Sequence, residues 1–239
     1  MVRPTNTPEA DTTPPTSGGV DRTSSMAAIG LVLALVAPLI YTLMVDPSLF
    51  GDDVDPMSRA VVGSVVMWCL AGAVLALTMF GERRPLSTIG FRPLSLPLVA
   101  VAVGAGVTLS LLVPLLSVVV DAVVGAGPSD VMDLATQTPL WVLTAGVVTA
   151  GVTEEILFRG YAIERLIAHT GRPWLSGLTS LAVFVAIHLP TKSVAHVLGL
   201  VLPLGLALTA LYLWKRNLTL VIIAHLLVNA PMIILGNAA

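Results

Sequence analysis

The sequence predicts an all-α membrane protein, a polytopic bundle of about seven transmembrane helices, with six to eight as the range. Of its 239 residues, 56% are hydrophobic and only 11% are charged, and the mean hydropathy is +0.93. Soluble domains carry about 25% charged residues. Several apolar runs have the length of a bilayer-crossing helix, and they lack the alternation of a transmembrane β-barrel. The net charge of −2 provides no basic surface for nucleic acid.

The N-terminal segment differs from the rest of the chain. Residues 1–25 are rich in Thr, Pro, Ser and Gly, a composition that cannot bury enough apolar surface to order itself. We therefore predict a disordered tail, which lacks the charged start and adjacent apolar run of a signal peptide. Residues 26–239 are predicted to form a single membrane domain without an internal repeat.

Three apolar runs form the first part of this domain. Residues 26–45 and 60–80 each match one transmembrane helix in length. Residues 96–124 form a longer run with two prolines and two glycines, so we expect a kinked or strongly tilted helix. The range in the number of spans comes from this third run. The single cysteine, Cys69, cannot form an intramolecular disulfide, and its apolar surroundings predict packing.

Four further helices are predicted in the second part. The fourth starts near Pro139 and continues to about His169, so that its end leaves the membrane. Gly171-Arg172-Pro173 is a turn signal, because Gly commonly ends a helix and Pro commonly begins one. The remaining predicted helices are residues 174–189, 193–213 and 218–235.

Most basic residues fall on one side of the predicted membrane. By the positive-inside rule this side is cytoplasmic. The rule predicts a multi-pass protein of the cell membrane with a cytoplasmic N-terminus. Arg59 and Lys192 are the exceptions. The residues on the basic side are Arg22, Arg83, Arg84, Arg92, Arg159, Arg165, Arg172, Lys215 and Arg216.

A charged cluster interrupts the fourth apolar run. Glu154, Glu155 and Arg159 follow a stretch without any charge from Trp141 to Val152. An ionisable residue at membrane depth costs about 2.5 kcal/mol or more. The cluster therefore indicates a functional site, with a structural ion network between helices as the alternative.

Three residue pairs in the C-terminal half have i,i+4 spacing, which places both members on one helix face. We assign Arg159 to Glu155 as an ion pair. Glu154 lies about 100° round the helix from Glu155, so it is free to face the helix bundle. For Phe184 we predict packing behind His188 rather than chemistry. The three pairs are Glu155/Arg159, Phe184/His188 and His225/Asn229.

Helix lengths predict that four polar residues share one depth. Glu154 and His188 each lie 17 residues from Gly171, which is roughly 25 Å along an α-helix. His225 and Asn229 lie about 12 and 18 Å from the basic turn at residues 215–217. If the fourth and fifth helices protrude from the membrane into the cytoplasm by about 10 Å, all four residues lie in one layer in the cytoplasmic half of the bilayer.

This layer excludes bulk water, and its residue types are suited to hydrolysis: one glutamate, two histidines and one asparagine. A glutamate and a histidine can hold and deprotonate a water molecule. A second histidine and an asparagine amide can donate hydrogen bonds to an oxyanion. A metal mechanism stays open, in which Glu154, His188 and His225 bind Zn²⁺ with water as the fourth ligand. The sequence contains neither an HExxH nor a GxSxG motif.

Three segments in order carry a family resemblance: Glu154-Glu155-Ile156-Leu157-Phe158-Arg159-Gly160-Tyr161, Phe184-xxx-His188 and His225-xxx-Asn229. They resemble the motifs of the CPBP family (CAAX protease and bacteriocin-processing, also called Abi). This is a family of intramembrane endopeptidases that includes the type II CAAX prenyl proteases. The resemblance covers about residues 139–231 and implies that residues 26–239 form a single intramembrane protease domain.

The resemblance also implies residue roles. Glu154 would be the catalytic carboxylate, and His188 would help to activate water. His225 and Asn229 would stabilise the oxyanion. Whether the enzyme is a glutamate protease or a metalloprotease is not decided by the motifs. The supporting residues would be Glu155 and Arg159.

The expected activity is hydrolysis of a peptide bond near the cytoplasmic face. The substrate would be a membrane-associated peptide or protein, including prenylated CAAX-type proteins. One alternative is a non-proteolytic membrane scaffold or immunity factor that retains the fold. Another is a proton-coupled transporter, which is less favoured because paired broken helices and an internal repeat are not evident in the sequence.

Overall fold

The computed structural model describes residues 18–44, 55–125 and 138–237. Every regular element within these ranges is a helix, which confirms the predicted all-α class. Residues 1–17 of the predicted tail, and most of the connections at residues 46–59 and 125–138, lie outside the described residues. Residues 18–25, which the prediction also assigned to the disordered tail, belong to a helix.

Seven helices occur in the described ranges, and four of them include a π-helical segment. Helix α1 comprises Gly18–Leu31, the π-helical Val32–Val36 and Ala37–Met44; α2 comprises Pro56–Ala76 and the π-helical Leu77–Gly81; α3 is Leu96–Val124; α4 comprises Leu140–Thr149, the π-helical Ala150–Ile163 and Glu164–Thr170; α5 is Pro173–Ala186; α6 comprises Val194–His196, the π-helical Val197–Val201 and Leu202–Lys215; α7 is Leu218–Asn237.

Five of these helices, α1 to α4 and α6, are long and apolar enough to cross a membrane, whereas the apolar parts of α5 and α7 are shorter. The seven predicted helices are thus all present in the described ranges, and five of them have the length predicted for a membrane span. The predicted end of α5 at residue 189 is wrong, because α5 ends at Ala186. Pro190 follows closely, and a proline disfavours helical geometry in the residue before it. His188 consequently lies in a turn that follows α5.

Helix α4 is the central helix of the bundle. Its π-helical segment packs against α1, α2, α5 and α7. The side chains of Leu157, Phe158 and Tyr161 are completely buried there. By contrast, α3 exposes many large apolar side chains, as expected for a helix that faces lipid. The fold therefore surrounds the two glutamates of α4 with other helices.

The contact between α1 and α4 depends on one glycine. A Cβ atom built on Gly30 would lie 1.8 Å from the hydroxyl oxygen of Tyr161. Real Cβ atoms do not approach other atoms so closely. Glycine at position 30 therefore allows the Tyr161 ring to lie directly against the α1 backbone.

Polar bonds hold the turns at one end of the bundle together. The side-chain amide of Asn217 lies 3.3 Å from the carbonyl oxygen of Arg92. Arg165, near the end of α4, forms an ion pair with Glu82 at the end of α2. We call this end of the bundle the basic end; it comprises residues 82–95, 171–172 and 215–217.

Candidate active site

Both glutamates of the first motif lie in the π-helical segment Ala150–Ile163. π-Helices bond residue i to i+5, are rare, and often occur at functional sites. The sequence predicts an ordinary α-helix here, so the local geometry differs from the prediction. In this segment Glu155 is completely buried, whereas Glu154 is only partly buried. The two carboxylates therefore have different environments, and Glu155 is the one that is enclosed by the bundle.

Glu155, Arg159 and His225 form a buried ionic cluster. Nη1 of Arg159 donates to Oε1 of Glu155 at 2.8 Å, and Nδ1 of His225 lies 2.7 Å from the same oxygen. The three residues are 0%, 1% and 3% exposed, respectively. Nη2 of Arg159 also lies 3.4 Å from the carbonyl oxygen of Gly205. The predicted pairing of Arg159 with Glu155 is confirmed, and the cluster joins α4 to α6 and α7.

The bond to Glu155 determines the tautomer of His225. An ionised carboxylate only accepts hydrogen bonds, so we infer that Nδ1 of His225 carries the proton. In the neutral ring Nε2 then holds a lone pair, and it donates only when the ring is protonated.

His188 is partly buried in the turn after α5. Its Nδ1 lies 2.7 Å from the carbonyl oxygen of Phe184. A carbonyl oxygen only accepts, so Nδ1 is the donor and Nε2 of the neutral ring has an available lone pair. This is the arrangement that a histidine needs to accept a hydrogen bond from a water molecule.

Phe184 connects His188 to the buried cluster. Its ring centroid lies 4.9 Å from that of His188, and the guanidinium carbon of Arg159 lies 4.3 Å from the Phe184 centroid. The second distance is within cation–π range. The structure shows the predicted packing and, in addition, a contact with Arg159 that the sequence does not predict. The i,i+4 spacing links Phe184 to His188 only, whereas the Arg159 contact is made between helices.

Glu154 and Asn229 are both partly buried, and neither forms a hydrogen bond or ion pair with the described residues. The structure shows no direct contact between Glu154 and His188. The four-residue layer therefore stays a prediction. A carboxylate without a protein partner is nevertheless free to hold a water molecule or a substrate group.

A cavity of about 590 Å³ reaches Asn229 between α2, α4 and α7. Along α4 it extends from Pro139 to Ala150, which is roughly 16 Å at the α-helical rise. Ala150 lies about one turn before Glu154, so the inner end of the cavity is close to the predicted catalytic layer. The lining residues are Asp55, Met57, Ala60, Thr138, Pro139, Val142, Leu143, Gly146, Val147, Ala150, Asn229 and Met232.

Asp55 is the charged residue at the mouth of this cavity, at the opposite end of the bundle from the basic end. The amide and the hydroxyl of Ser58 donate to Oδ2 of Asp55 at 2.9 and 3.1 Å. These bonds lower the pKa of the Asp55 carboxyl. The mouth therefore carries a negative charge at neutral pH, while most of the cavity wall is apolar.

The metal hypothesis requires Glu154, His188 and His225 to converge on one position. The described residues include no group of three His, Cys, Asp or Glu side chains placed to hold a metal ion. Nδ1 of His225 and Nδ1 of His188 are engaged with Glu155 and a carbonyl oxygen, which leaves Nε2 of each ring as the nitrogen that could bind a metal. The metal hypothesis therefore stays a prediction, and we derive no reaction step from a metal.

Several small polar contacts around α4 are absent from the sequence-based prediction. Ser180 donates to the carbonyl oxygen of Phe158 at 2.7 Å, and the indole nitrogen of Trp68 donates to the hydroxyl of Thr149 at 3.1 Å. These bonds fix α4 against α5 and α2. Small polar residues are common in transmembrane helix packing, so their positions in the sequence carried no functional signal.

One comparison with known proteins found a similarity in the C-terminal part of the chain. Residues 136–231, about two fifths of the sequence, match the family model described as Type II CAAX prenyl endopeptidase Rce1-like. Every residue predicted for the site lies within this range. The comparisons with curated proteins and with solved structures gave no match.

Proposed function

We propose that this integral membrane protein cleaves a membrane-associated peptide or protein, because residues 136–231 match the family model described as Type II CAAX prenyl endopeptidase Rce1-like. The proposal depends chiefly on the buried cluster of Glu155, Arg159 and His225, which joins two of the three motifs. Buried ionisable groups in a membrane bundle mark functional sites. The family match supports proteolysis in general, and the residue roles are part of the proposal.

In the proposed reaction Glu154 accepts a proton from a water molecule, and the water oxygen attacks the carbonyl carbon of the scissile bond. Nε2 of His188 accepts a hydrogen bond from the same water and orients it. When the C–N bond breaks, Glu154 returns the proton to the nitrogen of the leaving amine. Such a cycle requires a carboxylate without a competing partner, and Glu154 has none among the described residues.

Asn229 and His225 stabilise the oxyanion in this proposal. The side-chain amide of Asn229 can donate in its ordinary neutral form. His225 differs, because its Nδ1 proton is directed at Glu155. Its Nε2 is a donor only in the protonated ring, so in this proposal His225 binds the oxyanion as the imidazolium, which Glu155 orients through Nδ1–H. Removing one oxyanion donor typically lowers kcat by about 10²–10³.

A zinc mechanism is the competing form of the same hydrolysis. Bound Zn²⁺ would act as a Lewis acid on the attacking water. Metal analysis and chelator treatment of one purified preparation distinguish the two mechanisms. Stoichiometric zinc, with loss of activity on chelation and recovery on zinc addition, would favour the metalloprotease. Full activity in a zinc-free preparation would favour the glutamate mechanism.

The cavity beside Asn229 supports a substrate with an apolar segment. Its volume of about 590 Å³ is within the range of small-molecule sites, and its walls are mostly apolar. We propose that the scissile bond lies at the inner end, while apolar side chains or a prenyl group extend away from the basic end. A prenylated CAAX-type protein at the cytoplasmic face would approach in this direction, because its lipid chain points into the bilayer.

The membrane orientation is part of the same proposal. With the basic end in the cytoplasm, the N-terminus is cytoplasmic and cleavage occurs near the cytoplasmic face of the cell membrane. Cys69 offers a simple test, because a Cys69→Ala protein has no other thiol. A cysteine introduced at Arg172 should react with an impermeant thiol reagent only in inverted membrane vesicles. Reaction in intact cells would refute this orientation.

The direct test of the function compares purified wild type with Glu154→Gln. The substrates are a prenylated CAAX peptide, the same peptide without the prenyl group, and membrane peptides from cells that express either form. We expect Glu154→Gln to lose at least about 10²-fold in cleavage rate. Asp121→Asn, a change in α3 outside the motifs, should retain activity.

Two outcomes would contradict the proposal. Full activity of Glu154→Gln would refute the role of Glu154 as the proton acceptor. A cellular effect that survives Glu154→Gln, without any change in membrane peptides, would instead indicate the non-proteolytic scaffold.

A further inference from the structure

A second cavity, of about 530 Å³, lies at the basic end between α1, the end of α2 and the end of α4. It shares no lining residue with the cavity beside Asn229. Arg165 in its wall lies 11 residues beyond Glu154, or roughly 16 Å at the α-helical rise. The cavity is therefore separate from the proposed catalytic layer. Its lining residues are Ala27, Ala28, Leu31, Glu82, Arg84, Arg165, Ala168 and His169.

One guanidinium nitrogen of Arg165 in the wall of this cavity forms no hydrogen bond with Glu82. Nε of Arg165 donates to Oε1 of Glu82 at 3.0 Å, and Nη2 of Arg165 donates to Oε2. The hydroxyl of Tyr161 also donates to Oε1 at 2.6 Å. Both oxygens of Glu82 are therefore engaged, whereas Nη1 of Arg165 takes part in none of these bonds. Arg165 is only 5% exposed, but its Nη1 is not among the fully buried atoms without a partner, so this nitrogen is accessible from the cavity and can donate to an acceptor there.

Arg84 adds a second positive charge to the wall. Its side chain is exposed and forms no ion pair with the described residues. Its backbone amide donates to the carbonyl oxygen of Thr78 at 2.9 Å, which fixes the position of this residue after α2. The lining thus contains two arginines against one glutamate, with the imidazole of His169 as a further polar group. The charge is complementary to an anion.

The opposite wall is apolar and belongs to α1. Ala27, Ala28 and Leu31 line it. Two neighbouring α1 side chains, Ile29 and Val32, are 48% and 53% exposed on the surface available to lipid. A ligand with an anionic head and long apolar chains matches both walls. Basic pockets between transmembrane helices on the cytoplasmic side are suited to anionic lipid headgroups.

We propose that this cavity binds the phosphodiester headgroup of an anionic phospholipid, with Arg165 and Arg84 as donors and the acyl chains along α1. Free phosphate offers the same oxygen chemistry, but it has no apolar chains to contact the α1 wall. The site is independent of peptide hydrolysis, so its test does not depend on the proposed enzyme activity.

Native mass spectrometry of the full chain in neutral detergent tests the proposal by titration with phosphatidylglycerol and phosphatidylcholine. We expect at least about tenfold tighter binding of phosphatidylglycerol. Arg84→Gln should weaken this binding roughly fivefold. Ala28→Phe leaves the charges unchanged but fills the apolar wall, and it should weaken binding similarly. Arg172→Gln is the matched control, since it removes a basic residue of the basic end outside the cavity.

The outcomes separate the possible ligands. Millimolar inorganic phosphate should leave phosphatidylglycerol bound, and full displacement by phosphate would show a free-anion site and overturn the lipid assignment. Equal weakening in Arg84→Gln and Arg172→Gln would show a general effect of surface charge and would also overturn it. Melting curves without lipid establish that each variant is folded. If Arg84→Gln does not fold, unchanged binding by Ala28→Phe overturns the proposal.

Discussion

Replacing Arg159 with methionine tests whether the buried cluster stabilises the site. Methionine retains an unbranched apolar side chain but removes the guanidinium from Glu155, which is 0% exposed. Removing one partner of a buried ion pair costs about 3–5 kcal/mol, because the other charge stays buried without compensation. The lost cation–π contact with Phe184 acts in the same direction. We therefore expect the free energy of unfolding to fall by about 3–5 kcal/mol.

The assay is reversible unfolding in mixed micelles with increasing denaturing detergent. A double variant, Glu155→Gln with Arg159→Met, removes both charges and should be more stable than Arg159→Met alone. The coupling energy between the two positions should therefore exceed about 1 kcal/mol. Additive single effects, or a loss below about 1 kcal/mol for Arg159→Met, would refute the buried ion pair.

Three further predictions concern the elements around the site. Gly30→Val should displace Tyr161 and lower the unfolding free energy by about 1–3 kcal/mol, with Gly72→Val, which has no atom within 4 Å of a built Cβ, as the control in the same micelle assay. Ser180→Ala should cost about 1 kcal/mol, measured in the same way, because it removes the bond to the Phe158 carbonyl. The pKa of Asp55 is lowered, so its cap on α2 stabilises the folded protein at pH values above the ordinary aspartate pKa and is lost as the pH falls through the lowered pKa. The protection factor of the Ser58 amide in hydrogen exchange should therefore fall over that pH interval in wild type but not in Asp55→Asn.

The helical architecture was predictable because it follows from composition and run length. Helices begin and end where the sequence has apolar runs of membrane-crossing length and helix-terminating residues such as Gly171. Gly171 indeed ends α4 in the left-handed conformation, with a φ of 68°. The end of α5 was missed by three residues, because the apolar pattern continues past Ala186 although the helix does not.

The partners of the site residues were only partly predictable. The ion pair of Glu155 and Arg159 lies within one helix, so its i,i+4 spacing is visible in the sequence. The contact of His225 with Glu155 joins residues 70 positions apart and depends on how α7 packs against α4. The π-helical backbone of residues 150–163 also leaves no simple sequence signal, although both carboxylates lie in it.

The two adjacent glutamates differ in how accessible their carboxylates are to water and in whether those carboxylates already have hydrogen-bond partners. Glu155 is poorly placed to activate water, because it is completely buried and its Oε1 already accepts from Arg159 and His225. Its Oε2 is buried without a partner among the described residues.

The remaining described carboxylates are also poor candidates for the proton acceptor. Glu82 and Glu164 are engaged by arginines at the basic end, and Asp55 caps α2 at the far end of the cavity. Asp121 lies in the last turn of α3, outside the segment that matches the family. Glu154 is the one described carboxylate in that segment that is both partly accessible and free of a protein partner, which is the combination that water activation requires.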